Sequence, residues 1–168
     1  VQSRKMGRTE IAVGNLDATN FSKISMPEEV YELNFSFNEN YASKEVHYHY
    51  TSLTSPSTIY KYHVETKKTT LLFQKTLIDP NFKPENYVSK RVWATANDGQ
   101  KIPVSLVYRK GTDLSKAPLL LYGYGSYGVT IPTAFSATRV SLLDRGFVYA
   151  IAHIRGGKFL GENWYQDG

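Results

Sequence analysis

The chain has 168 residues, of which 41% are hydrophobic and 21% charged, with 13 Tyr, 8 Phe and no Cys. That length can bury a core, while the absence of cysteine excludes disulfides, thiolate metal sites and a cysteine nucleophile. The net charge of +5 comes entirely from residues 86–168, whose Lys and Arg are scattered singly rather than clustered as a nucleic-acid footprint would be.

Residues 1–30 are weakly patterned. Val rather than Met stands first, which reads as a partial chain, and the early basic residues are followed by no apolar signal-peptide core. Ile11-Ala-Val13 fits a strand, and residues 15–20 carry turn chemistry. From Tyr31 the pattern alternates with period two. Leu33, Phe35 and Phe37 share one face and Glu32, Asn34 and Ser36 the other, which predicts a half-buried strand. Further strands are predicted over residues 45–52, 58–64 and 69–75, separated by polar turns. Four short strands in this span match one propeller blade; spacing alone equally allows a piece of a sandwich. His47 and His49 lie two apart on one strand face, with only Glu45 near in sequence. They read as a polar face, and no metal is assigned.

Residues 78–86, with two prolines and two asparagines, read as a linker. The domains are therefore placed at 1–79 and 80–168. Beyond the linker, a strand at 88–95, an Asn97-Asp-Gly99 turn and a strand at 102–108 form a hairpin. Pro103 argues for an edge position in its sheet. Residues 119–122 are an apolar run of the kind buried on both faces, and they lead straight into Gly123-Tyr-Gly-Ser-Tyr-Gly128. A helix is predicted over 136–145, with Ser136 as N-cap and Gly146 as its stop. A second buried strand covers 147–152, ending in His153-Ile-Arg-Gly-Gly157. Strand, helix and strand in this order make a crossover between parallel strands. Ligands of open α/β sheets bind beyond the carboxyl ends of such strands. The glycine turn therefore offers Tyr124 and Tyr127 to a substrate; the same residues also fit a turn that only packs.

Three stretches together resemble the prolyl oligopeptidase family of serine peptidases. They are Leu121-Tyr-Gly-Tyr-Gly-Ser-Tyr-Gly128, the run from Ser141 to Gly157, and Leu160-Gly-Glu-Asn-Trp-Tyr-Gln-Asp-Gly168. Ser52-Leu-Thr-Ser-Pro-Ser-Thr-Ile-Tyr60 is similar to the end of that family's seven-bladed propeller. The resemblance implies a mixed fold, with antiparallel β-propeller blade(s) followed by the N-terminal part of an α/β-hydrolase domain. It implies hydrolysis of short peptides, after Lys or Arg in the branch most similar to this chain, through a Ser, Asp, His triad. No Gly-x-Ser-x-Gly elbow occurs here, so Ser126 is not the nucleophile. The triad is expected beyond these residues, leaving the chain inactive by itself.

One catalytic element carries over from the resemblance. The second Tyr of the family's Tyr-Gly-Tyr-Gly turn donates its hydroxyl to the oxyanion, and that position is Tyr124. Tyr122 is assigned to the core, as is His153, which precedes the expected nucleophile. Arg155 is given a structural hydrogen-bonding role. Two departures weaken an extra basic subsite. Residues 130–135 hold no carboxylate, and Lys158 and Phe159 stand where the family usually has Gly and then Glu or a similar residue.

The expected partners are an oligopeptide substrate and the remainder of the catalytic domain, with no nucleic acid and no membrane. No cofactor is expected, and the location is expected to be cytoplasmic. The alternative is a non-catalytic β-rich module that binds a peptide or ligand. Against it stands a half-built sheet, which would leave residues 119–122 and 147–152 uncovered.

Overall fold

The computed structural model describes residues 1–40 and 42–168. Strands β1 (Gln2–Lys5), β2 (Arg8–Val13) and β3 (Ser22–Lys23) form a small antiparallel sheet. The β1–β2 hairpin escaped the sequence reading. Its two-residue turn places Met6 at φ 49° and Gly7 at φ 73°, the paired left-handed geometry that matches strand twist.

Strands β4 (Tyr31–Phe35), β5 (Glu45–Ser52), β6 (Thr58–His63) and β7 (Thr69–Gln74) follow as an antiparallel meander in sequence order. Ile11, Ile24, Leu33, Tyr48, Tyr50 and Tyr62 form the core beneath the first two sheets. The period-two reading of β4 holds at Leu33, which is buried, and at Asn34, which is exposed. Phe35 is 43% exposed and Phe37 82% exposed, whereas Glu32, assigned to the polar face, is buried. Alternation marks two faces but does not say which face another segment will cover.

A 3-10 turn at Pro84–Asn86 leads into β8 (Tyr87–Thr95) and β9 (Lys101–Arg109), paired antiparallel. Then come β10 (Leu119–Gly123), α1 (Ala137–Asp144), β11 (Val148–Ala152) and α2 (Glu162–Gln166). The sheet order is β10-β11-β9-β8, with β10 and β11 parallel. Helix α1 packs on β9 and β11 and buries Val140 and Leu143. Each such side chain contributes about 1.5–3 kcal/mol. Val30, just before β4, and Leu53, just after β5, join Tyr87, Val107, Val140, Leu143 and Ile151 in this second core. The two halves of the chain therefore share packed apolar surface.

Two further expectations are corrected. Pro103 lies on an inner strand, because β9 sits between β8 and β11. Its carbonyl accepts from His153 N at 2.9 Å, so its backbone polar groups face the β11 side. The β9–β11 pairing ends at Val104. The missing N–H thus falls at the end of the ladder, and the His153 carbonyl it would have met accepts from Trp164 Nε1 at 3.0 Å instead.

Residues 119–122 are uncovered within these 168 residues, as a half-built sheet implies. β10 is the outermost strand of the described sheet, and Leu119, Leu120, Leu121 and Tyr122 are all 44–58% exposed. Conversely, β11 is covered: Val148, Ala150 and Ile151 are buried because helix and sheet neighbours flank them. Finally, Ser136 makes no side-chain cap to α1; its hydroxyl meets Thr138 Oγ1 at 2.9 Å instead.

Candidate active site

Because β10 and β11 are parallel, their carboxyl ends reach the same edge of the sheet. Two glycine turns leave there and lock together. Gly128 N donates to Gly156 O at 2.9 Å, and Gly128 bridges Gly157 in parallel register. A Cβ at Gly156, whose φ is +83°, would collide with the Gly125 carbonyl, so close backbone approach demands glycine. Between them, Tyr127 (φ 57°) and Gly128 (φ 69°) form a tight turn closed by Val129 N donating to Ser126 O at 3.1 Å.

Tyr124 is the first residue beyond β10 and is 39% exposed. Tyr127 is 89% exposed at the tip of the turn. Ser126 is exposed too, and no His or Asp side chain hydrogen-bonds it among the described residues.

The second turn is braced by three hydrogen bonds, one to the β8–β9 hairpin and two with Trp164. Arg155 Nη1 donates to Asp98 Oδ2 at 2.6 Å, reaching the β8–β9 hairpin. Gly156 N donates to Trp164 O at 3.0 Å, and Trp164 Nε1 donates to His153 O at 3.0 Å. The bond to Asp98 is of the structural kind expected of Arg155.

His153 is 3% exposed. Its Nε2 meets Ser105 Oγ at 2.7 Å, and its ring stacks on Phe159 at 3.6 Å between centroids. Burial, reinforced by the Arg91 and Arg4 charges, pushes its pKa down to about 3. It is a neutral core imidazole, as the sequence reading held.

The strand histidines have separate partners. His47 Nδ1 donates to the Phe37 carbonyl at 3.1 Å, and His49 Nε2 meets Ser57 Oγ at 2.6 Å.

Glu32 is the residue the sequence did not reveal. Its Oε1 accepts from Thr133 N at 2.9 Å and Thr133 Oγ1 at 3.0 Å, and Arg4 Nη2 stands 3.7 Å from Oε2. Its cross-strand neighbour Thr51 accepts from Phe135 N at 3.2 Å. The segment 130–135, which has no carboxylate of its own, thus receives one from β4. No local signal could announce a bond between residues 101 positions apart.

A cleft of about 860 Å³ lies between the meander sheet and α1, lined by His49, Ser57, Asp79, Phe135, Ser141 and Arg145 among others. Neither Tyr124 nor Tyr127 lines it. Its volume therefore does not mark the glycine edge.

Comparison with known proteins places these features. Residues 1–75 match the prolyl oligopeptidase N-terminal β-propeller domain, and residues 133–168 match the prolyl oligopeptidase family. The fold is thus part of a β-propeller joined to the start of an α/β-hydrolase domain. The chain belongs to the prolyl oligopeptidase family, whose members are serine peptidases. It is 46% identical over 147 residues to dipeptidyl aminopeptidase BI of Pseudoxanthomonas mexicana, covering 86% of this chain and 20% of that one. It is 33% identical to protease 2 of Moraxella lacunata, covering 100% of this chain and 24% of that one. Oligopeptidase B from Trypanosoma brucei, with covalently bound antipain in a closed form, superposes with a TM-score of 0.86 at 35% identity. That match covers 99% of this chain and 25% of the trypanosomal one. The chain spans about a fifth to a quarter of the length of these relatives.

Proposed function

We propose that this chain forms the propeller-to-hydrolase junction of a serine oligopeptidase, and that the Tyr124 hydroxyl serves in its oxyanion hole. The supporting observation is the placement of Tyr124: exposed, one residue past β10, on a turn locked against a second glycine turn. A phenol donor carried on a locked turn is placed before the carbonyl oxygen gains negative charge, and one such donor contributes about 2.7–4 kcal/mol.

The acyl-forming serine, its base and its orienting acid lie outside these 168 residues in this reading, so the chain alone does not hydrolyse peptides. The domain division falls at 1–79 and 80–168. The substrate is a short peptide in the cytoplasm, cut after Lys or Arg. The absence of carboxylates in residues 130–135 disfavours a second Arg in the substrate, and Lys158, paired with Glu162 at 2.9 Å, supplies no negative charge there. A mono-Arg peptide is accordingly cleaved at least as well as an Arg-Arg one.

A second reading concerns the substrate alone. The relative that is 46% identical is named a dipeptidyl aminopeptidase, which favours release of dipeptides from a free N-terminus. Dipeptide and N-blocked Arg reporter substrates separate the two readings. The test of the whole proposal uses the full-length polypeptide containing this chain. A fluorophosphonate probe labels a serine downstream of Gly168, and Tyr124→Phe lowers kcat about 100- to 1,000-fold. No labelling, or an unchanged kcat, defeats the proposal.

A further inference from the structure

Glu32 stands on β4, in the propeller part, yet its carboxylate serves the hydrolase part. Thr133 is 1% exposed, and its buried backbone N–H needs an acceptor. No local turn provides one; Glu32 does, together with an acceptor for the Thr133 hydroxyl. Two positions on, Phe135 N donates to Thr51 Oγ1. Glu32 and Thr51 are directly opposed on β4 and β5. One cross-strand pair of the blade therefore holds three donors of a segment more than 80 residues away in sequence. Burying a carboxylate is expensive unless donors replace its water, and two donors from Thr133 with Arg4 nearby do so here.

This anchor is close to the Tyr124 turn along the chain. Gly128 is fixed to Gly156, Val129 N closes the turn on Ser126 O, and Thr133 is pinned only four residues later. The intervening run includes Pro132, whose ring fixes φ. A chain this short, held at both ends, has little freedom to let the turn drift.

We propose that Glu32 is a positioning residue through which the propeller sets the geometry of the Tyr124 turn, by docking residues 133–135 on the Glu32–Thr51 pair. The proposal rests on the assignment of Tyr124 to the oxyanion hole, so the test separates the two.

In the full-length polypeptide, Glu32→Ala removes the acceptor, while Glu32→Gln keeps an oxygen for Thr133 and loses only the charge. Thr133→Val removes the hydroxyl bond and leaves the N–H bond, and it carries the test should Glu32→Ala fail to fold. Hydrogen exchange of the Thr133 amide reads the anchor without reference to catalysis. Glu32→Ala accelerates it at least about tenfold, and Glu32→Gln leaves it near wild type. Steady-state kinetics read the consequence. Glu32→Ala lowers kcat roughly 10- to 100-fold with KM little changed, Thr133→Val does so less, and Glu32→Gln restores most of the rate. In a Tyr124→Phe background, Glu32→Ala costs nothing more.

An equal loss with and without Tyr124 means that Glu32 acts elsewhere and overturns the proposal. Faster exchange with unchanged kcat overturns it too, since the anchor then fails to reach the turn. If Tyr124→Phe alone leaves kcat unchanged, the oxyanion assignment fails and the positioning role falls with it, whatever hydrogen exchange reports.

Discussion

Arg155 and Asp98 meet at 2.6 Å, joining the turn beyond β11 to the tip of the β8–β9 hairpin. The Gln100 backbone N–H, and then the Arg155 guanidinium, hold the Asp98 carboxyl below the usual aspartate range. A depressed folded-state pKa stabilises above the unfolded value, about 3.9, and that contribution disappears as pH falls through the folded value. Thermal unfolding of wild type and Asp98→Asn should therefore differ at neutral pH and converge below about pH 3.9. The difference is small, because the pair is solvent-accessible and screened. A gap that persists in strong acid would show that the carboxylate charge is not its source.

His153 gives an acid effect in a different window. Its pKa is held down to about 3 by burial, then by Arg91 and Arg4, against about 6.5 for a free imidazole. Below about pH 6.5 the unfolded chain takes up a proton that the folded chain refuses, so stability falls with acidification until about pH 3. His153→Asn, which cannot titrate, should flatten the dependence of Tm on pH across that window, although its Tm at neutral pH will be lower. In wild type, the His153 ring resonances should show no titration between pH 5 and pH 8, the range in which a free histidine changes charge.

Gly156 and Gly99 share nearly the same backbone angle, φ +83° and +84°, in opposite surroundings. A Cβ at Gly99 meets nothing, whereas one at Gly156 strikes the Gly125 carbonyl. Gly99→Ala should cost only the left-handed backbone penalty, about 1–2 kcal/mol. Gly156→Ala must also push the two turns apart and should cost clearly more in chemical denaturation. Equal costs would mean that the turns are not in backbone contact.

Leu143 is 2% exposed on the inner face of α1. Leu143→Ala should destabilise by about 2–5 kcal/mol, read as a lower denaturation midpoint with an unchanged slope. A loss under about 1 kcal/mol would place α1 off the sheet.

β10 presents apolar side chains and one unpaired edge, the combination that invites strand-to-strand association. The 168-residue chain should self-associate at high concentration, and Leu121→Lys should reduce this in light scattering. No change would show that association uses another surface.

The strands of the meander, the Asn97-Asp-Gly99 hairpin and the strand–helix–strand order were all legible in the residues alone. These follow from local alternation, turn chemistry and apolar runs, all written within a few residues of one another. The glycine turns were legible for the same reason, as was the buried place of His153 within an apolar stretch.

Which faces are covered depended on how the folded segments pack. That packing set Pro103 on an inner strand and Phe35 and Phe37 in solvent. It also turned Glu32, a polar residue on an alternating strand, into the acceptor for Thr133. Burial and hydrogen-bond partners depend on segments brought together from far along the chain, and a window of neighbouring residues carries no record of them.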